Sequence, residues 1–275
     1  MPIRPNNRNG AVAAVPLGCG DMASIEWLWP ASSVGGPLGE NEVRVWSVDL
    51  DGISPLDSSM ALLSRDERER AAKFATDELR RRFVAGRAAL RQILGECLGS
   101  DAASLKFRYG PKGKPELDGL FQGQLQFNLT HTGGVALIGV AKKCAVGIDI
   151  ERLDRKPDAE GIARRFFTPD ESARLMAVPE ADRPVAFLNL WTRKEAWLKA
   201  VGGGVGDSLG RVEVTFRTGE PARVLRSSRE LGEAEEWTLV GLSPVPGFGG
   251  ALAARGQGLN IHCRHRVKEG ARFQS

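Results

Sequence analysis

Two segments far apart in this chain align without a gap: residues 87–95 (RAALRQILG) and residues 194–202 (KEAWLKAVG). In each half, a helical pattern is followed by a run of short strands bounded by Gly and Pro, so the order of elements also repeats. Identity between the two segments is low, and the duplication is therefore a hypothesis. It predicts an α+β fold of two pseudo-symmetric halves with a ligand cleft between them.

The length of the chain suits such a duplication. Its 275 residues correspond to one large domain or to two halves of ordinary size. A chain of this length can bury a sizeable core without disulfides or a metal. We place a flexible arm at residues 1–41, the first half at 42–150, the second half at 151–256 and a basic tail at 257–275.

Hydrophobic periodicity predicts the main elements of both halves. Apolar residues recur at helical spacing over residues 77–98, and Ser64 with Glu67 forms a capping-box pattern at the start of a preceding helix. The other predicted helices are residues 159–166, 169–177 and 183–201, and the predicted strands are residues 104–109, 124–128, 134–142, 144–150, 211–217, 236–241 and 249–254.

Composition and charge exclude several classes of protein. With 42% hydrophobic and 26% charged residues the chain is globular, and its apolar runs fall far short of the ~20 residues that cross a bilayer. Pro16 and Gly18 interrupt a stretch that faintly resembles a signal peptide. The four cysteines lie far apart with no CxxC pair, so we expect a cytoplasmic protein without a zinc site, a disulfide framework or membrane contact. The chain has 38 basic and 34 acidic residues, and this mild excess of positive charge argues against nucleic acid as a partner. If the protein binds an anion, a local cluster of basic residues must recognise it.

Two carboxylates lie close together at the end of a predicted strand. In residues 146–152 (VGIDIER), Asp149 and Glu151 are two residues apart and share one face of the strand, whereas Ile148 and Ile150 share the other. Two acids in this arrangement suit a hard cation such as Mg²⁺, which prefers oxygen ligands. An amphipathic strand that runs into a charged turn explains the same pattern.

A second group of charged residues lies on the predicted helix 183–201. Lys194 falls within the apolar stripe of this helix and therefore requires a buried partner. Glu195 and Lys199 are four residues apart and are neighbours on the helix surface. Glu195 could bind a metal and Lys199 could neutralise a phosphate, or the two could form an ordinary surface ion pair.

A glycine- and proline-containing loop at residues 110–116 (GPKGKPE) could hold a nucleotide. Gly113 permits a tight turn and close approach of a ligand, and Pro115 favours an extended conformation at Lys114. A plain surface hairpin is an equally good interpretation of this loop.

Other residues could contact phosphate directly. Thr130 and His131 end a predicted strand and can both donate hydrogen bonds to phosphate oxygens, although a lone histidine is more often structural. Arg70, Arg82 and Arg91 add fixed positive charge on the helices of the first half, and arginine is well suited to phosphate.

Five short motifs occur in a fixed order and together resemble the Sfp-type 4′-phosphopantetheinyl transferases. The motifs are GKP at 113–115, FNLTH at 127–131, GIDIE at 147–151, RFFTPDE at 165–171 and WTRKEAWLK at 191–199. The ordered set is far more specific than any one motif, and it covers about residues 43–255. The resemblance implies two similar α+β halves with coenzyme A and Mg²⁺ between them.

The resemblance also implies a reaction and its residues. The phosphopantetheine arm of coenzyme A would pass to a serine hydroxyl of an apo acyl or peptidyl carrier protein, releasing adenosine 3′,5′-bisphosphate, in fatty-acid, polyketide or nonribosomal-peptide synthesis. Asp149, Glu151 and Glu195 would bind Mg²⁺, and Lys199 would contact the pyrophosphate. The implied coenzyme A contacts are Arg70 and Arg82 at the 3′-phosphate, Lys112, Gly113, Lys114 and Pro115 at the adenosine, and Thr130, His131, Asp149 and Lys199 near the phosphates. Because a duplicated chain supplies both sides of a cleft, we expect a monomer.

The attacking serine must lose its proton to a base. Glu195, Glu151 and Glu171 are all eligible, and the choice among them stays open. Two positions depart from the family pattern. Thr130 stands where serine is usual, which keeps the hydroxyl, and Glu67 stands where a second phosphate-facing base often occurs, which would weaken affinity for the 3′-phosphate.

Two other classes of function use the same residues. A Mg²⁺-dependent phosphodiesterase or nuclease would use the same acids on a nucleic acid, but the mild net charge and the lack of base-stacking aromatic residues disfavour it. A catalytically inactive module that binds coenzyme A or a carrier protein is disfavoured because all three candidate metal-binding acids are present.

Overall fold

The computed structural model of the chain describes residues 29–32, 36–52, 56–110, 113–203 and 209–266. The helices in these ranges are α1 (Leu56–Leu62), α2 (Arg65–Ala71), α3 (Asp77–Leu98), α4 (Ala159–Phe166), α5 (Pro169–Met176) and α6 (Arg183–Val201). The strands are β1 (Ala31–Ser32), β2 (Glu42–Asp49), β3 (Lys106–Tyr109), β4 (Pro115–Asp118), β5 (Gln126–Thr132), β6 (Val135–Ala141), β7 (Val146–Arg152), β8 (Val212–Val214), β9 (Val224–Ser227), β10 (Trp237–Leu242), β11 (Phe248–Arg255) and β12 (Asn260–Arg266). None of the described helices is both long and apolar enough to cross a membrane.

The two halves share one topology. The first half contains β2, the helices α1–α3, the hairpin β3–β4 and the pair β5–β6; the second contains β7, α4–α6, the hairpin β8–β9 and the pair β10–β11. The strands are hydrogen-bonded in the order β2-β6-β5 in one half and β7-β11-β10 in the other, and all of these pairs are antiparallel. The predicted pseudo-symmetric α+β halves are confirmed. The predicted boundary after residue 150 falls inside β7, whose pairing with β11 places it in the second half.

The structure differs from the predicted basic tail. Residues 260–266 form β12, which pairs in parallel with β2 and extends the sheet of the first half. Ile261 and Cys263 pack beside the core of buried residues between the sheets, and Arg266 is 2.5 Å from the carboxylate of Glu96 on α3. Alternating polar and apolar residues therefore make a strand in a segment whose basic composition suggested a tail. Residues 31–32 of the predicted arm pair with β12, and residues 1–28, 33–35 and 267–275 lie outside the described residues.

Each half buries a capping-box glutamate against a cation of its long helix. In the first half, Glu67 completes the predicted capping box of α2, and its carboxylate is 2.7 Å from Arg91 Nε and 3.1 Å from Arg87 Nε. In the second half, Glu171 completes the capping box of α5 and pairs with Lys194 of α6. Arg87 and Lys194 occupy the same position in the alignment of the halves. The Glu67–Arg87 pair of the first half is therefore equivalent to the Glu171–Lys194 pair of the second.

The two halves meet at β7. The backbone amide of Ile148 donates a hydrogen bond to Oδ1 of Asn128 on β5 at 3.1 Å, and α6 packs directly on the same strand. Gly147 permits this packing, because a Cβ there would lie 2.8 Å from the carbonyl carbon of Lys199 and closer still to the carbonyl oxygen of Ala196. The close approach brings charged residues of α6 next to those of β7.

Candidate active site

The candidate site is centred on Asp149, which lies in the middle of β7 and is 5% exposed. Its Oδ1 accepts hydrogen bonds from Lys199 Nζ at 2.6 Å and from Thr130 Oγ1 at 3.3 Å. Lys199 Nζ is also 3.2 Å from Thr130 Oγ1. Thr130 belongs to β5 of the first half and Lys199 to α6 of the second. Residues that the sequence predicted separately therefore meet at the contact between the halves.

Glu195 lies one helical turn before Lys199 on α6 and is also 5% exposed. Burial and the negative charges of Asp149 and Glu151 raise the pKa of Glu195 to about 7, although Lys199 opposes this shift. Burial likewise raises the pKa of Asp149, against the opposing effect of Lys199. The three acids therefore lie within electrostatic reach of one another.

Two buried carboxylate oxygens of this group have no hydrogen-bond partner among the described residues. They are Oδ2 of Asp149 and Oε1 of Glu195. A buried charged oxygen without a partner is costly, and carboxylate oxygens are the ligands that Mg²⁺ prefers. The chemistry of these donors fits a hard divalent cation.

Glu151 completes the group of acids but is paired with a cation. Its Oε1 is 2.6 Å from Arg155 Nη1, and its side chain is 15% exposed. Lys199 occupies Oδ1 of Asp149 in the same way. In the described part of the chain, no set of three or more His, Cys, Asp or Glu side chains is arranged to hold a metal ion. The predicted ligands are Asp149, Glu151 and Glu195. Their carboxylate oxygens are suitable donors for Mg²⁺, but the three side chains are not arranged as a coordination site in this structure.

The predicted phosphate contacts His131 and Arg82 lie within electrostatic reach of each other. The His131 side chain is exposed, but partial desolvation and the positive charges of Lys199 and Arg82 lower its pKa. The guanidinium of Arg82 is 2.7 Å from Asp51 and 2.5 Å from Glu78. A phosphate bound by Arg82 would therefore compete with two carboxylates.

Arg70, another predicted phosphate contact, has no described contact with this group. The guanidinium carbon of Arg70 lies 5.4 Å from the ring centre of Phe83, and no described hydrogen bond or ion pair joins Arg70 to Asp149. Lys112 lies outside the described residues.

The loop that is predicted to hold adenosine connects the antiparallel strands β3 and β4, and its described residues are 110 and 113–116. Gly113 has a φ of +76°, a conformation that glycine adopts freely, and Pro115 begins β4. Lys114 Nζ donates to the carbonyl oxygens of Lys199 at 2.9 Å and of Val146 at 3.4 Å. The side chain of Lys114 is therefore used within the protein, at the end of α6.

The structure corrects the predicted roles of Glu171 and Glu67. Glu171 is fully buried, and its carboxylate contacts Lys194 and the backbone amide of Val214, the latter at 3.1 Å. It has no described contact with the group around Asp149, so its assignment as a candidate base is wrong. Glu67 pairs with Arg91 inside the first half and is not a phosphate-facing position. A capping-box glutamate explains both positions, and the capping-box pattern was visible in the sequence.

Replacing Glu171 by Gln is expected to lower the free energy of unfolding by about 3 kcal/mol, because it leaves the buried charge of Lys194 uncompensated. The kcat of the folded fraction should fall far less than the roughly 10²- to 10⁴-fold that a general base contributes. Urea unfolding and steady-state kinetics measure the two effects. Glu160→Gln, which removes an exposed pair with Arg164, is the matched control and should cost under about 1 kcal/mol. A stably folded Glu171→Gln protein with a 10²-fold loss of kcat would contradict this assignment.

Sequence reasoning did not identify Arg155, Asn128 or Gly147. Gly147 could have been found, because a glycine inside a strand pattern often marks close approach of another backbone. Arg155 follows Glu151 by four residues, a spacing that places two side chains together on a helix. These residues lie at the end of a strand, where the same spacing does not predict contact. Asn128 is part of the FNLTH motif, yet only the structure shows its bond to the amide of Ile148.

Two family models match the chain one after the other. Residues 53–143 match the model described as 4′-phosphopantetheinyl transferase, N-terminal, and residues 145–242 match the 4′-phosphopantetheinyl transferase superfamily. The change from one model to the other falls just before β7. This position agrees with the boundary between the halves that strand pairing defines.

Curated relatives carry the same name. The 4′-phosphopantetheinyl transferase HetI of Nostoc sp. is 40% identical over 223 residues, which cover 80% of this chain and 91% of that protein. A phosphopantetheinyl transferase of Thraustochytrium sp. is 33% identical over 193 residues, covering 63% of this chain and 66% of that protein. The 4′-phosphopantetheinyl transferase Sfp of Bacillus subtilis is 29% identical over 146 residues, which cover 53% of this chain and 63% of that protein.

The fold of two equivalent halves and the acidic group at their contact define a duplicated α+β enzyme. The chain belongs to the 4′-phosphopantetheinyl transferase superfamily. The resemblance that the five sequence motifs indicated is confirmed.

Proposed function

We propose that this protein transfers the 4′-phosphopantetheine arm of coenzyme A to a serine hydroxyl of an apo acyl or peptidyl carrier protein. The other product is adenosine 3′,5′-bisphosphate, and the carrier serves fatty-acid, polyketide or nonribosomal-peptide synthesis. The observation that carries the proposal is the meeting of Asp149, Thr130 and Lys199 between the two halves, beside the buried Glu195. Family membership supports the choice of donor and acceptor.

The acids of the site would hold Mg²⁺. Asp149 would use its unpartnered Oδ2, Glu195 its unpartnered Oε1, and Glu151 would add a third carboxylate. The ion, when bound, offsets negative charge on the pyrophosphate and on the leaving phosphate. The chemistry of these oxygens supports this proposal.

The cations of the site orient the donor. Lys199 is 29% exposed at its side chain, so its ammonium can exchange Oδ1 of Asp149 for a pyrophosphate oxygen. Thr130 and His131 lie on the same strand end and can donate hydrogen bonds to the phosphates. The same groups hold the phosphorus in line for attack by the serine.

A carboxylate of the site takes the proton of the serine. With Glu171 removed from the candidates, Glu195 and Glu151 remain. In the metal-free protein the pKa of Glu195 is raised to about 7, and a bound cation would lower the pKa of any carboxylate that it contacts, so both glutamates stay candidates for the base.

Intact mass spectrometry of an apo carrier protein tests the proposal. The carrier is incubated with this protein, coenzyme A and Mg²⁺, in the presence or absence of a chelator. The expected result is a gain of one phosphopantetheine group that disappears with chelator and with a carrier whose acceptor serine is replaced by alanine. No gain across fatty-acid, polyketide and peptide carriers, with the protein shown to be folded, would reject the proposal in favour of a phosphodiesterase or a binding module.

Glu195→Gln is expected to stabilise the metal-free protein at pH 8 and to change its stability little at pH 5. Because the folded-state pKa of Glu195 is about 7 and the ordinary value is 4.5, folding favours the protonated side chain. The stability that protonation contributes is fully present below about pH 4.5 and is lost as the pH rises through about 7. Glutamine imitates the protonated form, so the gain at pH 8 approaches about 3 kcal/mol.

Urea unfolding in chelator, at several pH values between 5 and 8, measures this difference. Glu69→Gln is the control, because Glu69 is exposed and pairs with exposed Arg65. An equal effect of Glu195→Gln at pH 5 and pH 8 would contradict the raised pKa of Glu195.

A further inference from the structure

Lys114 joins the two halves of the molecule at the end of α6. It lies in the turn between β3 and β4 of the first half, and its ammonium donates to the carbonyl oxygens of Lys199 at 2.9 Å and of Val146 at 3.4 Å. Lys199 is in the last turn of α6, and Val146 begins β7. One cation of the first half therefore holds together the helix and the strand that carry Lys199 and Asp149.

The carbonyl oxygen of Lys199 needs a donor from outside the helix. The carbonyls in the last turn of a helix lack partners in the next turn and carry the partial negative charge of the helix dipole. Within the described residues, the amide of Gly202 reaches the carbonyl oxygen of Lys199 only at 3.4 Å, whereas Lys114 Nζ reaches it at 2.9 Å. Lys114 is thus the closer donor to the backbone of the lysine that binds Asp149.

The environment of Lys114 suits a role inside the protein. Burial lowers the pKa of Lys114, partly opposed by Glu116 on β4. A cation that is removed from water requires acceptors nearby, and its acceptors here are backbone oxygens of the second half. The predicted contact between the Lys114 side chain and adenosine would require these bonds to break.

We propose that Lys114 is a positioning residue, which fixes the last turn of α6 against β7 so that Lys199 reaches Asp149. Its side chain acts through Lys199 and does not contact the adenosine end of the donor. Loss of the ammonium therefore displaces Lys199 rather than removing a contact with the donor. The kinetic part of this inference rests on the proposed transfer of phosphopantetheine.

Lys114→Met tests the proposal, because methionine keeps a long apolar side chain without the charge or the donors. We expect kcat to fall by about tenfold or more, since a small misplacement of a catalytic group costs up to about 10²-fold, while the KM for coenzyme A changes by less than about threefold. Lys114→Arg, which keeps the charge and the donors, should recover part of kcat. The matched control is Lys106→Met, because Lys106 is exposed at the start of the same hairpin.

Calorimetric titration with adenosine 3′,5′-bisphosphate tests the contact with adenosine directly. The positioning role predicts the same Kd for the wild type and Lys114→Met, within about twofold. A tenfold weaker Kd together with an unchanged kcat would show that the side chain binds the donor, and it would overturn the proposal.

Amide hydrogen exchange gives a measurement that needs no activity. Peptides covering residues 196–203 should exchange at least about fivefold faster in Lys114→Met, because the last turn of α6 opens more readily, and peptides of α3 should not change. Unchanged exchange at residues 196–203 would reject the positioning role. A wild-type protein that transfers nothing would contradict the proposed function and leave this measurement as the test of Lys114.

Discussion

Asp149→Asn is expected to lower kcat/KM for phosphopantetheine transfer about a thousandfold, which corresponds to about 4 kcal/mol of transition-state stabilisation. The carboxylate of Asp149 holds Lys199 at 2.6 Å and Thr130 at 3.3 Å, and its other oxygen is the buried, unpartnered Oδ2. Asparagine has nearly the same shape, but it removes the negative charge that binds Lys199 through Oδ1, and it weakens Oδ2 as the oxygen that would bind Mg²⁺. Both losses act on the charge that develops at the pyrophosphate.

The stability of Asp149→Asn should change by less than about 1 kcal/mol, because burial already disfavours the charged form of this carboxyl and Lys199 can turn to solvent. Mass-spectrometric transfer assays and urea unfolding measure the two effects. Asp170→Asn is the control, since Asp170 is exposed and lies 3.9 Å from Arg174. A folded Asp149→Asn protein that retains more than a tenth of the activity would remove Asp149 from the site. Retained binding of coenzyme A would show that the lost step is catalysis.

The sequence predicted most of the elements because their patterns are local. The apolar spacing of residues 77–98 predicts a helix with the same bounds as α3, and the alternation around Asp149 and Glu151 predicts β7. Lys194 in an apolar stripe predicts a buried partner, and Glu171 supplies it. Each of these inferences depends on residues within one or two turns, or on a charge that burial forces to be paired.

The features that the sequence did not predict are contacts between residues that lie far apart in the chain. Glu171 and Glu195 are both glutamates in motifs of the family, and only their contacts distinguish a helix cap from a carboxylate of the site. Lys114 binds backbone carbonyls, one of them 85 residues away. Any residue type can supply a carbonyl, so this contact leaves no pattern in the sequence. The strand β12 was missed because its partner β2 lies at the other end of the chain.

Gly147→Ala is expected to lower the free energy of unfolding by about 3 kcal/mol, at the upper end of the cost of overpacking, and to lower kcat of the folded fraction about a hundredfold. The added Cβ would lie 2.8 Å from the carbonyl carbon of Lys199, with the carbonyl oxygen of Ala196 closer still. These are backbone atoms of α6, so no side-chain rotation relieves the overlap. The helix must move away from β7, and Glu195 and Lys199 move with it, away from Asp149.

The matched control is Gly139→Ala on β6, the strand that precedes β7 in the sequence and belongs to the other sheet. There an added Cβ would meet Cγ2 of Val146 at 3.4 Å and Cδ1 of Leu252 at 3.6 Å, which are ordinary contacts with side chains, so the loss should stay under about 1 kcal/mol. Urea unfolding and kcat are measured for both variants. If Gly147→Ala is as stable and as active as Gly139→Ala, the contact between α6 and β7 does not set the distance from Lys199 to Asp149. If Gly147→Ala loses activity more steeply than stability, the glycine of the GIDIE motif acts in catalysis through the placement of α6.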